Sequence, residues 1–243
     1  MNKKLHVILT PALSHLYEMK EADVVIIDIL RATTSICVAM ANGAKSIIPV
    51  ADIQEAKEYK RNGYLVAAER NGEKVEGFDF GNSPQSFSME AVQDKTIVFT
   101  TTNGTRCIDI ASESGAEQII IGSFLNLSSV ADMLKSSDRD LFLFCAGWKD
   151  KFNLEDTLFA GALADALKDD YQFDDDATEM AMDLYRTASD DMGAYIQKAS
   201  HIKRFDKLGI AGDGEFCLQL NVLSVVPLLK GIHLERYQAA AGY

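Results

Sequence analysis

Two short stretches of the sequence place threonines and an arginine directly after an apolar run. The first is Val24-Val-Ile-Ile-Asp-Ile-Leu-Arg-Ala-Thr-Thr34, and the second is Thr96-Ile-Val-Phe-Thr-Thr-Thr-Asn-Gly-Thr-Arg106. Hydroxyl groups cap helix starts, and the free backbone N–H groups there bind anions. Arginine adds a planar, two-pronged group that binds phosphate, carboxylate or sulfonate. The two stretches therefore predict a ligand with anionic groups.

Carboxylates stand near the ends of the same or neighbouring apolar runs. Asp28 ends the first run, Glu69 and Arg70 end another, and Glu155 and Asp156 come after a later one. Carboxylate oxygens are hard ligands of the kind that Mg²⁺ prefers, and together with anion-binding loops they predict metal-assisted phosphoryl chemistry. Each residue also has a purely structural interpretation, because such residues often cap helices or form ion pairs.

Alternating apolar and amphipathic segments predict the scaffold that positions these residues. Strands are predicted at 5–9, 24–28, 46–50, 64–68, 96–100, 118–121 and 141–145, with helices between them such as 52–62 and 126–136. Continuous apolar strands joined by helices are typical of an α/β fold, here a three-layer α/β/α arrangement with a mainly parallel sheet that also admits antiparallel pairs.

The last third of the chain has a different, mostly helical pattern. Helices are predicted at 155–168, 176–189, 191–201 and 215–223, with one weak strand at 225–229. We treat 1–243 as one unit with an approximate division into a sheet part, 1–154, and a helix-rich part, 155–243. The helix-rich part either caps the sheet or belongs to a second subdomain.

In an open parallel sheet, ligands gather at the carboxyl ends of the strands. Those ends give the candidate site residues, which are Asp28, Arg31, Thr33, Thr34, Glu69, Arg70, Thr101, Thr102, Asn103, Gly104, Thr105, Arg106, Gly147, Lys149, Lys151, Glu155 and Asp156.

Composition narrows the class of partner. With 24 Lys+Arg against 36 Asp+Glu the net charge is −12, which disfavours nucleic acid and anionic membranes but leaves a small phosphorylated substrate. No apolar run approaches the roughly 18 residues of a membrane span, and the N-terminal segment lacks a signal-peptide core, so we expect a cytoplasmic protein. The four cysteines are far apart and predict reduced thiols. A homodimer is the general expectation for enzymes of this size.

Familiar covalent phosphatase motifs are absent from the sequence. Asp28 is followed by Ile29 and Leu30 rather than by a second aspartate in an Asp-x-Asp pattern, and Cys145 has Lys151 where a Cys-x₅-Arg loop would have arginine. Direct attack by a metal-activated water is the simpler hypothesis, and a covalent route stays open.

Several motifs together resemble the 2-phosphosulfolactate phosphatase (ComB) family. They are Val25-Ile-Ile-Asp-Ile-Leu-Arg-Ala-Thr-Thr34, Glu69-Arg70, Gly77-Phe-Asp-Phe-Gly-Asn-Ser-Pro84, Thr101-Thr-Asn-Gly-Thr-Arg106, Cys145-Ala-Gly147 and Leu154-Glu-Asp156. The resemblance implies an α/β/α, Mg²⁺-dependent, cytoplasmic acid phosphatase that converts (2R)-2-phospho-3-sulfolactate to 3-sulfolactate, a step of coenzyme M biosynthesis. One departure is Trp148-Lys-Asp-Lys-Phe152, where relatives often have a Gly-rich, Arg-containing turn.

The resemblance also suggests roles for individual residues. The expected metal ligands are Asp28, Glu69 and Glu155. The expected catalytic residues are Asp28, Arg31, Arg106, Glu155 and Asp156, with Asp156 or Asp79 orienting the attacking water. The expected substrate-binding residues are Thr33, Thr34, Arg70, Asn82, Ser83, Thr101, Thr102, Asn103, Gly104, Thr105 and Gly147. Asp213 and His201 are further candidates from the C-terminal part.

Three alternative functions remain on the sequence alone. A related phosphatase could act on another phosphorylated 2-hydroxy acid. An isochorismatase-like hydrolase would use Cys145 with Lys149 nearby. A non-catalytic protein could use the same loops to bind small anions.

Overall fold

The computed structural model describes residues 3–70, 72–208 and 211–238. Ten strands form one sheet over these residues. They are β1 (Leu5–Ile8), β2 (Asp23–Ile27), β3 (Ser46–Pro49), β4 (Leu65–Arg70), β5 (Glu73–Lys74), β6 (Thr96–Thr100), β7 (Gln118–Gly122), β8 (Leu141–Cys145), β9 (Pro227–Lys230) and β10 (His233–Arg236).

The α-helices of the described ranges follow most of the strands in the first two thirds and dominate afterwards. They are α1 (Ala32–Ala41), α2 (Ile53–Arg61), α3 (Met89–Val92), α4 (Gly104–Glu113), α5 (Leu127–Lys135), α6 (Leu154–Ala166), α7 (Asp176–Ala188), α8 (Met192–Ile196), α9 (Ser200–Leu208) and α10 (Ala211–Cys217). Short 3-10 helices cover Pro11–Leu16, Pro84–Ser86 and Phe124–Asn126. In the described part of the chain, no helix has the length and apolar character of a membrane span.

The sheet combines two parallel blocks with an antiparallel hairpin. Its order is β1-β8-β2-β7-β9-β10-β3-β6-β4-β5. The first block, β1-β8-β2-β7, and the second, β3-β6-β4, are each internally parallel. The hairpin β9–β10 joins β7 to β3 through antiparallel pairs, and β5 pairs antiparallel with β4. The predicted α/β fold with a mainly parallel sheet and a helix-rich C-terminal third is confirmed.

The parallel strands β2, β6, β7 and β8 are buried on both faces along most of their length, as their continuous apolar sequences require. In β2, Val25 and Ile27 pack in one core with α5, α6 and α7. Ile26 faces the opposite way and shares a second core with Ile97 of β6 and Ile36 of α1. Because α1 contacts both β7 and β3, the two blocks share this helix on one face of the sheet.

The C-terminal part differs from the predicted elements in three places. The predicted helix 191–201 is divided into α8 and α9, and the predicted helix 215–223 ends at Cys217. After that residue the backbone bonds to the β7–α5 connection instead of continuing a helix, since Leu223 N donates to Leu125 O at 2.8 Å. The hairpin partner β10 was not predicted, because His233-Leu-Glu-Arg236 lacks the apolar run of the other strands. The division at 154/155 stays a prediction.

Candidate active site

Residues that follow β2, β4, β6 and β8 meet in one cleft. Its empty volume, which includes space open to the solvent, is about 420 Å³. The lining residues are Asp28, Leu30, Arg31, Glu69, Gly72, Asn82, Thr102, Asn103, Trp148, His201 and Arg204. The loops that the sequence predicted at the strand ends therefore do meet in one cleft. The hairpin that separates the two parallel blocks was not predicted.

The helix α4 begins directly against the Asp28 carboxylate. A Cβ atom added to Gly104 would lie 2.9 Å from Asp28 Oδ2, so glycine permits this close approach. The Asp28 turn itself is fixed by Thr33, whose Oγ1 accepts from Asp28 N at 3.1 Å and whose N donates to Asp28 O at 2.9 Å. A carboxylate and the positive end of a helix thus share one corner of the cleft.

The electrostatic surroundings make Asp28 an unusual carboxylate. Burial raises the pKa of Asp28 to about 6, His201 opposes this increase, and the charges of Glu69 and Glu155 add to it. A carboxylate that is desolvated beside other carboxylates gains strongly from a nearby cation or proton. This is the behaviour expected of a functional group rather than of a surface residue.

Glu155 forms a buried pair with a histidine from α9. The Nδ1 atom of His201 is hydrogen-bonded to Glu155 Oε1, and both side chains are nearly inaccessible. Burial alone would lower the pKa of His201, but the hydrogen bond and charge of Glu155, with the charge of Asp28, outweigh it and raise this pKa above 6.5. Because His201 lines the cleft, the pair links the first turn of α6 to the ligand space.

Asp156 braces the ends of β2 and β8. It is fully buried, and its two oxygens accept from Ile29 N at 2.9 Å and from Gly147 N at 3.0 Å. Burial raises its pKa, and Glu155 and Asp28 raise it further. Its contacts with these backbone groups make Asp156 a positioning residue for the cleft, whereas the sequence predicted that it orients a water.

The turn at Gly147 connects Asp156 to the loop after β6. Gly147 has a positive φ of 58°, and an added Cβ would lie 2.3 Å from Lys151 O, so the turn requires glycine. Its carbonyl accepts from Asn103 Nδ2 at 2.9 Å. Gly147 therefore positions Asn103, which lines the cleft, through its backbone.

Arg31 is buried and joins the cleft to the C-terminal part. Its guanidinium is paired with Asp213 of α10 and also donates to Gly72 O at 2.9 Å. Ser83 Oγ donates to the other oxygen of Asp213 at 2.9 Å. Asp213, a secondary candidate from the sequence, therefore holds two predicted site residues, Arg31 and Ser83.

Two predicted arginines are absent from the cleft lining. Arg70 donates to Glu69 O at 2.7 Å and to Thr100 Oγ1 at 3.1 Å, and burial lowers its pKa. Arg106 is exposed and pairs with Asp150 at 2.8 Å. Asp79 accepts from Val66 N and Lys60 Nζ rather than facing the cleft.

Most of the predicted threonines form hydrogen bonds with the protein backbone. Thr34 Oγ1 donates to Ile29 O at 2.9 Å, and Thr105 Oγ1 donates to Thr101 O at 3.1 Å. Thr102 is the threonine that lines the cleft. These contacts match the structural interpretation of the motif, in which hydroxyls fix the turns from which the backbone faces the ligand.

The predicted metal ligands come near one another without converging on a point. Among the described residues, the group of three acidic, histidine or cysteine side chains with ligand atoms within 4.8 Å of one another is His6, Asp174 and Asp175, near Lys4. Asp28 and Glu69 both line the cleft, whereas Glu155 is engaged by His201. Mg²⁺ commonly uses one or two carboxylates and several waters, so this donor set fits that ion.

An unsatisfied oxygen supports a cation or ligand at the same place. Asn82 is buried and lines the cleft, and no hydrogen-bond donor among the described residues reaches its Oδ1. A buried carbonyl oxygen without a donor is costly, and binding a cation or a donor from the ligand removes that cost. Asn82, Asp28 and Glu69 would supply the protein oxygens for Mg²⁺.

Arg204 of α9 and Trp148 of the β8–α6 loop are cleft residues that the sequence did not reveal, whereas His201 was a further candidate. Arg204 and His201 both line the cleft, three residues apart on one helix face. Trp148 lies beside them, with its ring centroid 5.7 Å from that of His201. The spacing of His201 and Arg204 was a usable signal, but the predicted helix ended at residue 201 and separated them.

The cysteines do not have the properties of nucleophiles. All four are free and buried. Burial raises the pKa of Cys145 well above 9.0, and Asp156 raises it further. The thiolate is the reactive form, so this environment argues against the isochorismatase-like alternative.

Comparisons with known proteins agree with the cleft chemistry. The sequence profile of the 2-phosphosulpholactate phosphatase family matches residues 8–231. A probable 2-phosphosulfolactate phosphatase of Caldanaerobacter subterraneus subsp. tengcongensis is 41% identical over 218 residues, covering 88% of this chain and 90% of the relative. The corresponding Thermotoga maritima protein is 44% identical over 211 residues, with coverages of 86% and 90%. One from Clostridium acetobutylicum is 37% identical over 216 residues, with the same coverages.

Proposed function

Because the chain belongs to the 2-phosphosulfolactate phosphatase family, it is a phosphatase, and we propose that it hydrolyses (2R)-2-phospho-3-sulfolactate to 3-sulfolactate and phosphate with Mg²⁺ as cofactor. The same resemblance supports a role in coenzyme M biosynthesis. The four free, buried cysteines suit a reducing compartment, which supports the cytoplasm as the location.

One observation carries the proposal: the cleft combines oxygen ligands for a cation with groups that bind anions. Asp28 and Glu69 line it together with Arg31 and Arg204. The substrate bears a phosphate, a sulfonate and a carboxylate on a three-carbon frame. A cleft lined only by carboxylates would repel these anionic groups, and one lined only by arginines would repel the cation. A lining that contains both can bind both.

Asp28, Glu69 and Asn82 would hold Mg²⁺, and the chemistry supplied there would be charge neutralisation at the phosphoryl group. The start of α4 lies beside Asp28, so its N-terminal N–H groups would bind phosphoryl oxygens, and Arg31 lies on the same cleft lining. Water attacks phosphorus in line as the bond to the C2 oxygen breaks.

The leaving oxygen requires a proton, and His201 is the residue best suited to supply it. It lines the cleft, and Glu155 raises its pKa, so the imidazole holds a proton at higher pH than an ordinary histidine. Proton transfer from His201 to the C2 oxygen releases 3-sulfolactate, and a proton from the attacking water restores the imidazolium. Asp156 contributes indirectly by fixing Ile29 N and Gly147 N.

An Asp28→Asn variant tests this function. It keeps the shape of the side chain but removes the negative charge, so phosphate release should fall by about 100-fold or more. Asp132→Asn, an exposed aspartate on α5, is the matched control and should retain the wild-type rate. A wild-type rate in Asp28→Asn would refute the site. Binding of phosphosulfolactate without turnover by the wild type would indicate the anion-binding alternative.

A further inference from the structure

Helix α9 brings an arginine to the cleft that no strand end supplies. Arg204 follows His201 by three residues, and both side chains line the cleft. Residues at this spacing share a helix face, whereas Lys203, between them, is exposed. The C-terminal part therefore contributes one positive side chain to the ligand space and directs a neighbouring one to solvent.

The guanidinium of Arg204 rests on an aromatic ring. Its Cζ lies 4.9 Å from the centroid of Trp148, and Lys149 Nζ lies 4.4 Å from the same centroid. Stacking restrains a guanidinium through its face and leaves the N–H groups at its edge available to an anion.

Among the side chains that the structure describes, no carboxylate is paired with Arg204. Arg31 and Arg106 are paired with Asp213 and Asp150. In contrast, no carboxylate oxygen of the described side chains comes within 4.0 Å of a guanidinium nitrogen of Arg204. A half-buried, oriented arginine in a substrate cleft, without a carboxylate partner among these side chains, is suited to an anionic group of the ligand.

We infer that Arg204, held on Trp148, binds the sulfonate of the substrate and thereby sets the preference for a sulfonated molecule. This inference rests on the proposed function. The phosphate and carboxylate are more basic oxyanions than the sulfonate and suit the Mg²⁺ side formed by Asp28 and Glu69. The sulfonate, on the terminal carbon, suits the weakly hydrated, forked guanidinium.

The test compares 2-phosphosulfolactate with 2-phospholactate, which has a methyl group in place of the sulfonated carbon. For each enzyme the measured quantity is the ratio of kcat/KM for the two substrates. Arg204→Gln should lower this ratio by about 10- to 100-fold, the effect of one charged hydrogen-bonding contact. Arg204→Lys should give an intermediate ratio, because it keeps the charge and loses the fork. Lys203→Gln is the charge-matched control and should leave the ratio unchanged.

An Arg204→Gln ratio equal to that of the wild type would overturn the inference. If kcat/KM is then unchanged for both substrates, the sulfonate binds elsewhere. If kcat/KM falls equally for both substrates, Arg204 binds the phosphate or the carboxylate. If the wild type released no phosphate, the proposed function would fail, and calorimetry with 3-sulfolactate and lactate would still decide the inference. Arg204→Gln should then weaken binding of 3-sulfolactate selectively, and an unchanged affinity would contradict the sulfonate contact.

Discussion

Replacing Asp156 by alanine should remove the two hydrogen bonds that join the ends of β2 and β8 at the cleft and should lower the stability of the fold. The carboxylate accepts from Ile29 N at 2.9 Å and Gly147 N at 3.0 Å, and it is fully buried. Each donor left without an acceptor costs about 1–3 kcal/mol, so two cost about 2–6 kcal/mol. Loss of the like-charge repulsion from Glu155 and Asp28 offsets part of this cost. We therefore expect a destabilisation of about 2–3 kcal/mol, a large share of the 5–15 kcal/mol typical of a folded domain.

Urea unfolding of the Asp156→Ala variant measures this loss. Asp156→Asn keeps one acceptor oxygen and should lose about half as much stability. Asp169→Ala, an exposed aspartate, is the control and should remain within about 0.5 kcal/mol of the wild type. If Asp156→Ala is as stable as this control, the carboxylate does not brace the strand ends, and its role must lie in the chemistry instead.

Three further predictions concern neighbouring parts of the site. Gly147→Ala forces a Cβ against Lys151 O at a positive φ of 58°, so calorimetric unfolding should show a loss of about 1–3 kcal/mol; unchanged stability would contradict the tight turn. Burial raises the pKa of Cys145, so N-ethylmaleimide should spare the native enzyme, whereas rapid inactivation would revive a cysteine nucleophile. Glu155→Gln should lower the pKa of His201 in an NMR titration. In the wild type the raised pKa of His201 stabilises the fold fully below about pH 6.5, and this stabilisation is lost as pH rises through the folded-state pKa. Glu155→Gln should weaken that pH dependence of stability.

The sheet was predictable where local sequence decides structure. Buried parallel strands need apolar side chains on both faces, so β2, β6 and β8 stand out as continuous runs. β10 does not stand out as a strand, because its residues are mostly polar. The position of its hairpin between the two blocks depends on contacts that are distant in sequence. The break between α8 and α9 likewise escaped prediction, since both segments have helical composition.

The cleft was predictable only in part for the same reason. Asp28 follows β2 and Glu69 lies near the end of β4, so topology alone directs attention to them. Arg204 and Trp148 meet through the packing of α9 against the β8–α6 loop, which no local pattern encodes. Arg70 ends β4 and Arg106 follows β6, but each has protein partners outside the cleft lining.

The most direct test of the account is phosphate release from 2-phosphosulfolactate, beside 2-phospholactate and 2-phosphoglycolate, first with Mg²⁺ and then with EDTA. The account predicts release that requires Mg²⁺ and is fastest for the sulfonated substrate, since Asp28, Glu69 and Asn82 would bind the cation while Arg204 binds the sulfonate. Equal release in EDTA would contradict the role of the carboxylates as metal ligands. No release from any of the three compounds would contradict the phosphatase assignment of the cleft.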